Sequence, residues 1–247
     1  MTRDVLIVGG GVAGLSAGIF TGRAGLDTLV VSEGESILER NAHLENYPGF
    51  PAGIDGRLFL RMTREQAERA GVGFAEGRVA DLDHRGDDDD GFAVTTDGGE
   101  EYAADRVVAA SWKDASYLRD IDVGVIDRGS KAFVDVEEGG RTDIDGVYAA
   151  GRIADEPHQT VVCAGHGSKV GLAVVHDSDA NYYHDWVTPD GYFTERGIDL
   201  PPATEEIDEA ERRAREEESR EVIREYVAEP IDGKPTMHPS LVDRDDE

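Results

Sequence analysis

Residues 5–14 read Val-Leu-Ile-Val-Gly-Gly-Gly-Val-Ala-Gly, and the fold turns on them. Val5 to Val8 is a short continuous apolar run, the pattern of a parallel strand buried on both faces. Gly9, Gly10 and Gly11 make a turn, and Leu15, Ala17, Ile19 and Phe20 read as the start of a helix. Thr28-Leu29-Val30-Val31 is a second, β-branched strand that ends at Ser32-Glu33. Strand, helix and strand form a βαβ unit. Within it Gly9, Gly11 and Gly14, with Val12 and Ala13 between them, fill the pattern G-x-G-x-x-G. The first glycine of such a pattern permits a tight turn, the second lets a pyrophosphate approach the backbone, and the third lets helix and strand pack closely. The helix N-terminus adds free N–H groups and a positive dipole end. Glu33 lies 19 residues beyond Gly14, at the strand end, where a carboxylate can accept from ribose hydroxyls. This unit predicts dinucleotide binding.

Working outward, residues 58–70 read as a helix and Val72 to Ala75 as a third short strand. Three alternating segments, 78–83, 92–96 and 101–103, separated by Gly/Asp turns, predict an antiparallel meander. The Asp87-Asp88-Asp89-Asp90 run is its solvated loop tip. Residues 105–110 read as another core strand, 146–150 as a buried return strand, and 160–176 as a helix. The charged, Gly-rich stretch 111–145 between these strands reads as a connector. The expected fold is α/β: a Rossmann-like parallel sheet with helices on both faces and an inserted meander, over residues 1–190. Residues 191–247 are expected as a charged helix over 203–229 and an extended arm, with Val222, Ile223, Tyr226 and Val227 docking on the domain or on a partner chain. Glu209/Arg213, Glu211/Arg215 and Glu216/Arg220 stand at the favourable i,i+4 spacing.

Three ordered stretches then resemble the thioredoxin reductase family of FAD enzymes: Gly9 to Ile19, Leu44-Glu45-Asn46-Tyr47-Pro48-Gly49-Phe50-Pro51, and Gly146-Val147-Tyr148-Ala149-Ala150-Gly151. The resemblance runs over roughly residues 3–176 and implies FAD as the cofactor. It implies that Gly9, Gly11 and Gly14 hold the pyrophosphate and Glu33 the adenosine ribose. It places the Val79 backbone near adenine, Asn46 near the isoalloxazine, and Gln159 with Thr160 near the flavin pyrimidine edge. Ala110 and Gly151 fall in the matching strand-end motifs. Departures are as informative. The family carries an NADPH-binding unit between the strands at 105–110 and 146–150, and the 35 residues 111–145 are too few for one. Its redox C-x-x-C lies in that missing unit. Where the family has Ala-Thr-Gly this chain has Ala110-Ser111-Trp112, and Gly151-Arg152 replaces Gly-Asp. An Asp accepts from ribityl hydroxyls, whereas Arg only donates. Arg152 pairs with the pyrophosphate, or swings away and leaves the role to Asp155, or marks a flavin site that has degenerated.

Charge narrows the function further. Lys and Arg number 25 against 53 Asp and Glu, a net charge of −28, and only four of the cations are Lys. Such an excess of carboxylate excludes nucleic acid and anionic membrane surfaces as partners and reads as a protein of a high-salt cytoplasm. The apolar stretch 5–20 is shorter than the ~20 residues of a membrane span and holds glycines, so it is not a signal or an anchor. Cys163 is the sole cysteine, which excludes an intrachain disulfide and a cysteine-built zinc site. Among Val161, Val162 and Ala164 it reads as a small core residue, and His43, His158 and His166 have no metal spacing. The functional expectation is an FAD-dependent oxidoreductase, or a flavoprotein component, without thioredoxin-disulfide reductase activity. An external donor or a diffusible small-molecule substrate supplies electrons, and the chain is expected as a homo-oligomer. The competing readings are a non-catalytic FAD- or nucleotide-binding protein of assembly or regulation and, disfavoured by the closing motif, an NAD enzyme.

Overall fold

The computed structural model describes residues 1–86, 91–112, 114–129, 131–182, 184–238 and 241; the acidic run 87–90 lies outside them. Four parallel neighbours make the centre of a seven-stranded sheet: β1 (Thr2–Val8), β2 (Thr28–Ser32), β3 (Gly73–Glu76) and β6 (Glu101–Ala109). Their spatial order is β3-β2-β1-β6, so the chain runs to one side of β1 and then crosses to the other. The meander strands β4 (Val79–His84) and β5 (Phe92–Thr96) continue the sheet antiparallel from β6. The short return strand β9 (Val147–Ala149) also pairs with β6, in parallel. Two segments expected as separate strands, 101–103 and 105–110, are thus one strand. The first half of β6 pairs with β5 and the second half with β9, both against β1 on the other edge.

Alternation along β1 sends side chains to two cores. Val5 and Ile7 point into the layer formed by α1 (Val12–Arg23), α2 (Gly56–Arg69) and α3 (Thr160–His176), where Leu15, Phe59 and Val170 meet them. Leu6 and Val8 face the other way, toward Leu82, Val94, Tyr117 and Leu118. The second face is therefore covered by the meander and the turn at Ser116–Ile121 rather than by α-helices, a correction to the expectation of helices on both sides. Each fully buried Val or Leu contributes roughly 1.5–3 kcal/mol here. The glycines of α3 serve helix packing: a Cβ on Gly167 would lie 2.1 Å from the Ala13 carbonyl oxygen, so α1 and α3 touch backbone to backbone.

The connector folds into the 116–121 turn and a hairpin of β7 (Val125–Asp127) and β8 (Ala132–Val134). Beyond α3, β10 (Trp186–Pro189) pairs in parallel with β11 (Thr204–Ile207). Residues 203–208, expected as helix, are thus strand and cap. The helix α4 (Glu209–Val227) begins at Asp208, whose carboxylate accepts from the Glu211 N–H. α4 lies against α2 of the same chain: Tyr226 donates to the Glu65 carboxylate, and Arg69 pairs with Glu218 at 2.7 Å. Val222 and Tyr226 are half-buried there, while Ile223 and Val227 stay exposed. The arm then returns along the domain, with Arg57 donating to the Asp232 and Gly233 carbonyls and the Thr236 N–H to the Glu39 carbonyl. No helix among the described residues is long and apolar enough to cross a membrane.

Candidate functional site

A cavity of about 920 Å³ opens at the carboxyl ends of β1, β2 and β6. That is where the strand order reverses direction about β1, the place where open α/β sheets take their ligands. Gly9, Gly11, Val12, Ala13, Glu33, Asn46, Val79, Ala110, Arg152, Gln159 and Thr160 all border it. Gly14 and Gly151 stand behind the wall. Gly14 is required for packing, since a Cβ there would lie 2.0 Å from the Gly9 carbonyl oxygen, and Gly9 itself has φ +115°. Gly11 is different in kind: a Cβ would meet only Ser36 Oγ, at 3.6 Å, and otherwise the cavity.

Two helices begin at this cavity without a side-chain cap, α1 after Gly11 and α3 after Gln159. Their first N–H groups have no side-chain acceptor, and the dipoles add positive potential. A pyrophosphate would satisfy the N-terminus of α1, and acceptor atoms of a ring that of α3. The donor set therefore fits FAD: helix N-termini beside a glycine turn, a carboxylate at Glu33 for ribose hydroxyls, and an amide pair in which Asn46 Nδ2 donates to Gln159 Oε1 at 2.7 Å.

Arg152 has swung onto the protein. Its guanidinium donates to the Glu156 carbonyl at 2.8 Å, pairs with Asp155 at 3.3 Å and lies 4.7 Å from the Phe133 ring centre. Asp155 does not replace it at the cavity, because its carboxylate is held by Arg128 at 2.7 Å as well as by Arg152. These contacts fasten the β7–β8 hairpin to the turn after β9. The Gly151 N–H donates to His166 Nδ1 at 3.0 Å. Burial holds the His166 pKa below its ordinary value, which keeps that nitrogen an acceptor. Cys163 borders the cavity and is buried. Burial pushes its thiol pKa up, and Sγ contacts the Pro157 carbonyl at 3.5 Å, so it is an unreactive core thiol.

Sequence reasoning missed other parts of the wall. Residues 34–41 line it through a tight turn at Ile37–Arg40, capped by Ser36, whose N–H donates to Glu39 Oε1 at 2.9 Å. The S-x-x-E spacing was the available signal. Trp112, Tyr117 and Arg61 also border the cavity. Tyr117 is fully buried with its hydroxyl 2.9 Å from Ser111 Oγ, and burial raises its pKa. Among the described residues no group of three His, Cys, Asp or Glu is placed to hold a metal ion.

Comparison with known proteins agrees with this geometry. Residues 56–167 match the family described as pyridine nucleotide-disulphide oxidoreductase, and residues 4–40 match FAD binding domain. A thioredoxin reductase of Aquifex aeolicus is 36% identical over 110 residues, 44% of this chain and 33% of that protein. A dihydrolipoyl dehydrogenase of Haloferax volcanii is 30% identical over 173 residues, 68% of this chain and 32% of that protein. The chain thus spans about a third of the length of these curated relatives. Among solved structures, the atypical thioredoxin reductase TRi from Desulfovibrio vulgaris Hildenborough superposes with a TM-score of 0.58 at 21% identity, over 71% of this chain and 98% of that one. An oxidoreductase from Agrobacterium tumefaciens gives 0.63 at 17% identity, with the same coverage. Fold, cavity and sequence matches agree in one likeness: this chain is similar to the FAD-binding part of thioredoxin reductase-like pyridine nucleotide-disulphide oxidoreductases.

Proposed function

We propose that this protein is an FAD-dependent oxidoreductase, or the flavoprotein component of one, that takes electrons from an external donor and does not reduce thioredoxin disulfide. One observation carries the reading. β6 and β9 pair directly, Val107 with Val147 through Ala109 with Ala149, and the described residues between them make short turns at Ser116–Ile121 and Glu138–Gly140 and the β7–β8 hairpin. That leaves no second nucleotide-binding unit in the connector, and Cys163 is both alone and buried. The glycine turn and the N-terminus of α1 hold the pyrophosphate, Glu33 the ribose, and Asn46 with Gln159 and Thr160 at the start of α3 the ring end. Bound there, FAD supplies the electron chemistry, while the protein supplies position, electrostatics and access. The test is anaerobic rapid mixing of FAD-loaded protein with NADPH, followed by the visible flavin band. Slow or absent bleaching is expected, with faster reduction by a protein or small-molecule donor. Rapid, saturable bleaching by NADPH would overturn the external-donor reading.

A further inference from the structure

Trp112 follows the end of β6 with φ +50°, in the left-handed region. A bulky aromatic is a genuine outlier there, and such backbone strain persists only where the surroundings hold it, most often beside a ligand. The hydrophobic cores do not include this side chain. It is half-buried and borders the cavity. Its ring meets His158 edge to face at 4.5 Å, and His158 borders the same cavity one residue before Gln159, the partner of Asn46. Burial, with Arg152 and Lys131 nearby, holds the His158 pKa below its usual value, so the imidazole braces the indole as a neutral ring. A strained indole with a neutral aromatic brace, set on the wall of a cofactor-sized cavity, is built to stack on a planar ring.

We propose that Trp112, braced by His158, is the stacking residue for the isoalloxazine of FAD at the Asn46–Gln159 end of the cavity. This rests on the reading of the cavity as the FAD site. The left-handed backbone at 112 is kept because it aims the indole, and a glycine would hold the same turn without strain.

Flavin emission and affinity test it, since an indole quenches a flavin strongly only in contact. Wild-type protein should bind FAD with its flavin emission quenched. Trp112→Leu should still bind FAD, with emission several-fold brighter and affinity lower by up to about tenfold, the scale of one aromatic pair. Trp112→Phe should stay near wild type in affinity. Trp112→Gly should melt no lower than wild type, because it relieves the left-handed strain, while losing affinity as Leu does. ADP, which has no flavin ring, should bind wild type and Trp112→Leu equally. Trp186→Phe, remote from the cavity, should change nothing. Bound FAD of unchanged emission and affinity in Trp112→Leu would overturn the proposal. So would an equal loss of ADP affinity, which would move the contact to the adenosine. Failure of the wild-type protein to take up FAD would instead sink the reading of the cavity, and the stacking role with it.

Discussion

A side chain at Gly11 would project into open cavity, whereas one at Gly14 would collide with the Gly9 carbonyl. The two substitutions should therefore fail differently. Gly11→Val is expected to fold with a near wild-type melting temperature and to lose stoichiometric FAD, read from the visible band after desalting. Gly14→Ala is expected to lower stability by ~1–3 kcal/mol through overpacking, read by denaturant unfolding of the FAD-free protein. Glu33→Ala should only weaken binding, by roughly tenfold, the loss of one or two ribose hydrogen bonds. These residues were legible because a glycine spacing after a strand and an acid at the next strand's end are each tied to one kind of chemistry. Trp112 was legible only as a departure from a resemblance, since sequence does not print a φ angle. The partners of Arg152 were not legible at all. Phe133 and the Glu156 carbonyl come from a hairpin and a turn whose approach to residue 152 depends on the fold being complete.

Among the elements, β6 shows why a boundary can be misread. Both halves are paired on both edges, the first with β1 and β5 and the second with β1 and β9, but most side chains up to Arg106 are exposed or half-buried while Val107, Val108 and Ala109 are buried. The change in burial along one strand looks like the end of one and the start of another. The strand at Thr204–Ile207 was hidden for a different reason: it is short, acidic and held by pairing with β10 across a 14-residue loop, 190–203. By contrast α3 runs over the residues the sequence indicated, because its small-residue face and its flanking turn both mark it. Its C-terminal cap, Asp177, accepts from the Arg141 guanidinium at 2.7 and 2.8 Å and from the Tyr148 hydroxyl at 2.8 Å, tying helix to return strand. Hydrogen bonding to Arg141 holds its carboxyl below the ordinary carboxylate range. A depressed folded pKa stabilises fully above the unfolded value of about 3.9, and that contribution is lost as pH falls through the folded value. Asp177→Asn should accordingly cost roughly 1–2 kcal/mol at neutral pH. The gap between the two melting temperatures should close as the pH is taken below 4, and a gap constant from pH 7 to pH 3 would show that the carboxylate charge is not involved.

At the scale of the molecule, 53 acidic side chains surround a core of ordinary composition. The described ion pairs are mostly exposed and strongly screened, so pairing offsets little of the self-repulsion. We therefore expect the melting temperature to rise between dilute buffer and molar KCl as screening shortens the range of that repulsion. An unchanged value would remove the high-salt cytoplasm from the interpretation. The same reasoning separates tail from domain. α4 has no buried residue and leans on α2 through Tyr226 and a few exposed contacts. Removing residues from 209 onward, which leaves β11 in place, should lower the melting temperature by only a few degrees and preserve FAD binding. Aggregation of the shortened protein in high salt would show that α4 covers surface the domain cannot leave open.

The pairing of β1 with β6 has a consequence for how the protein is made. Val8 lies opposite Ala109, and the Gly9 turn rests against the Ala110 carbonyl, which a Cβ at Gly9 would approach to 2.6 Å. The wall that shapes the glycine loop is synthesised about a hundred residues after the loop itself. Contacts so far apart in sequence form slowly, because chain closure must precede any gain from them. The loop should thus spend the early stages of synthesis without a shape, and cofactor capture should be a late event that locks the assembled sheet. Since a ligand bound only by the native state shifts the equilibrium toward it, FAD present during refolding should raise the yield of folded chains without speeding the first collapse.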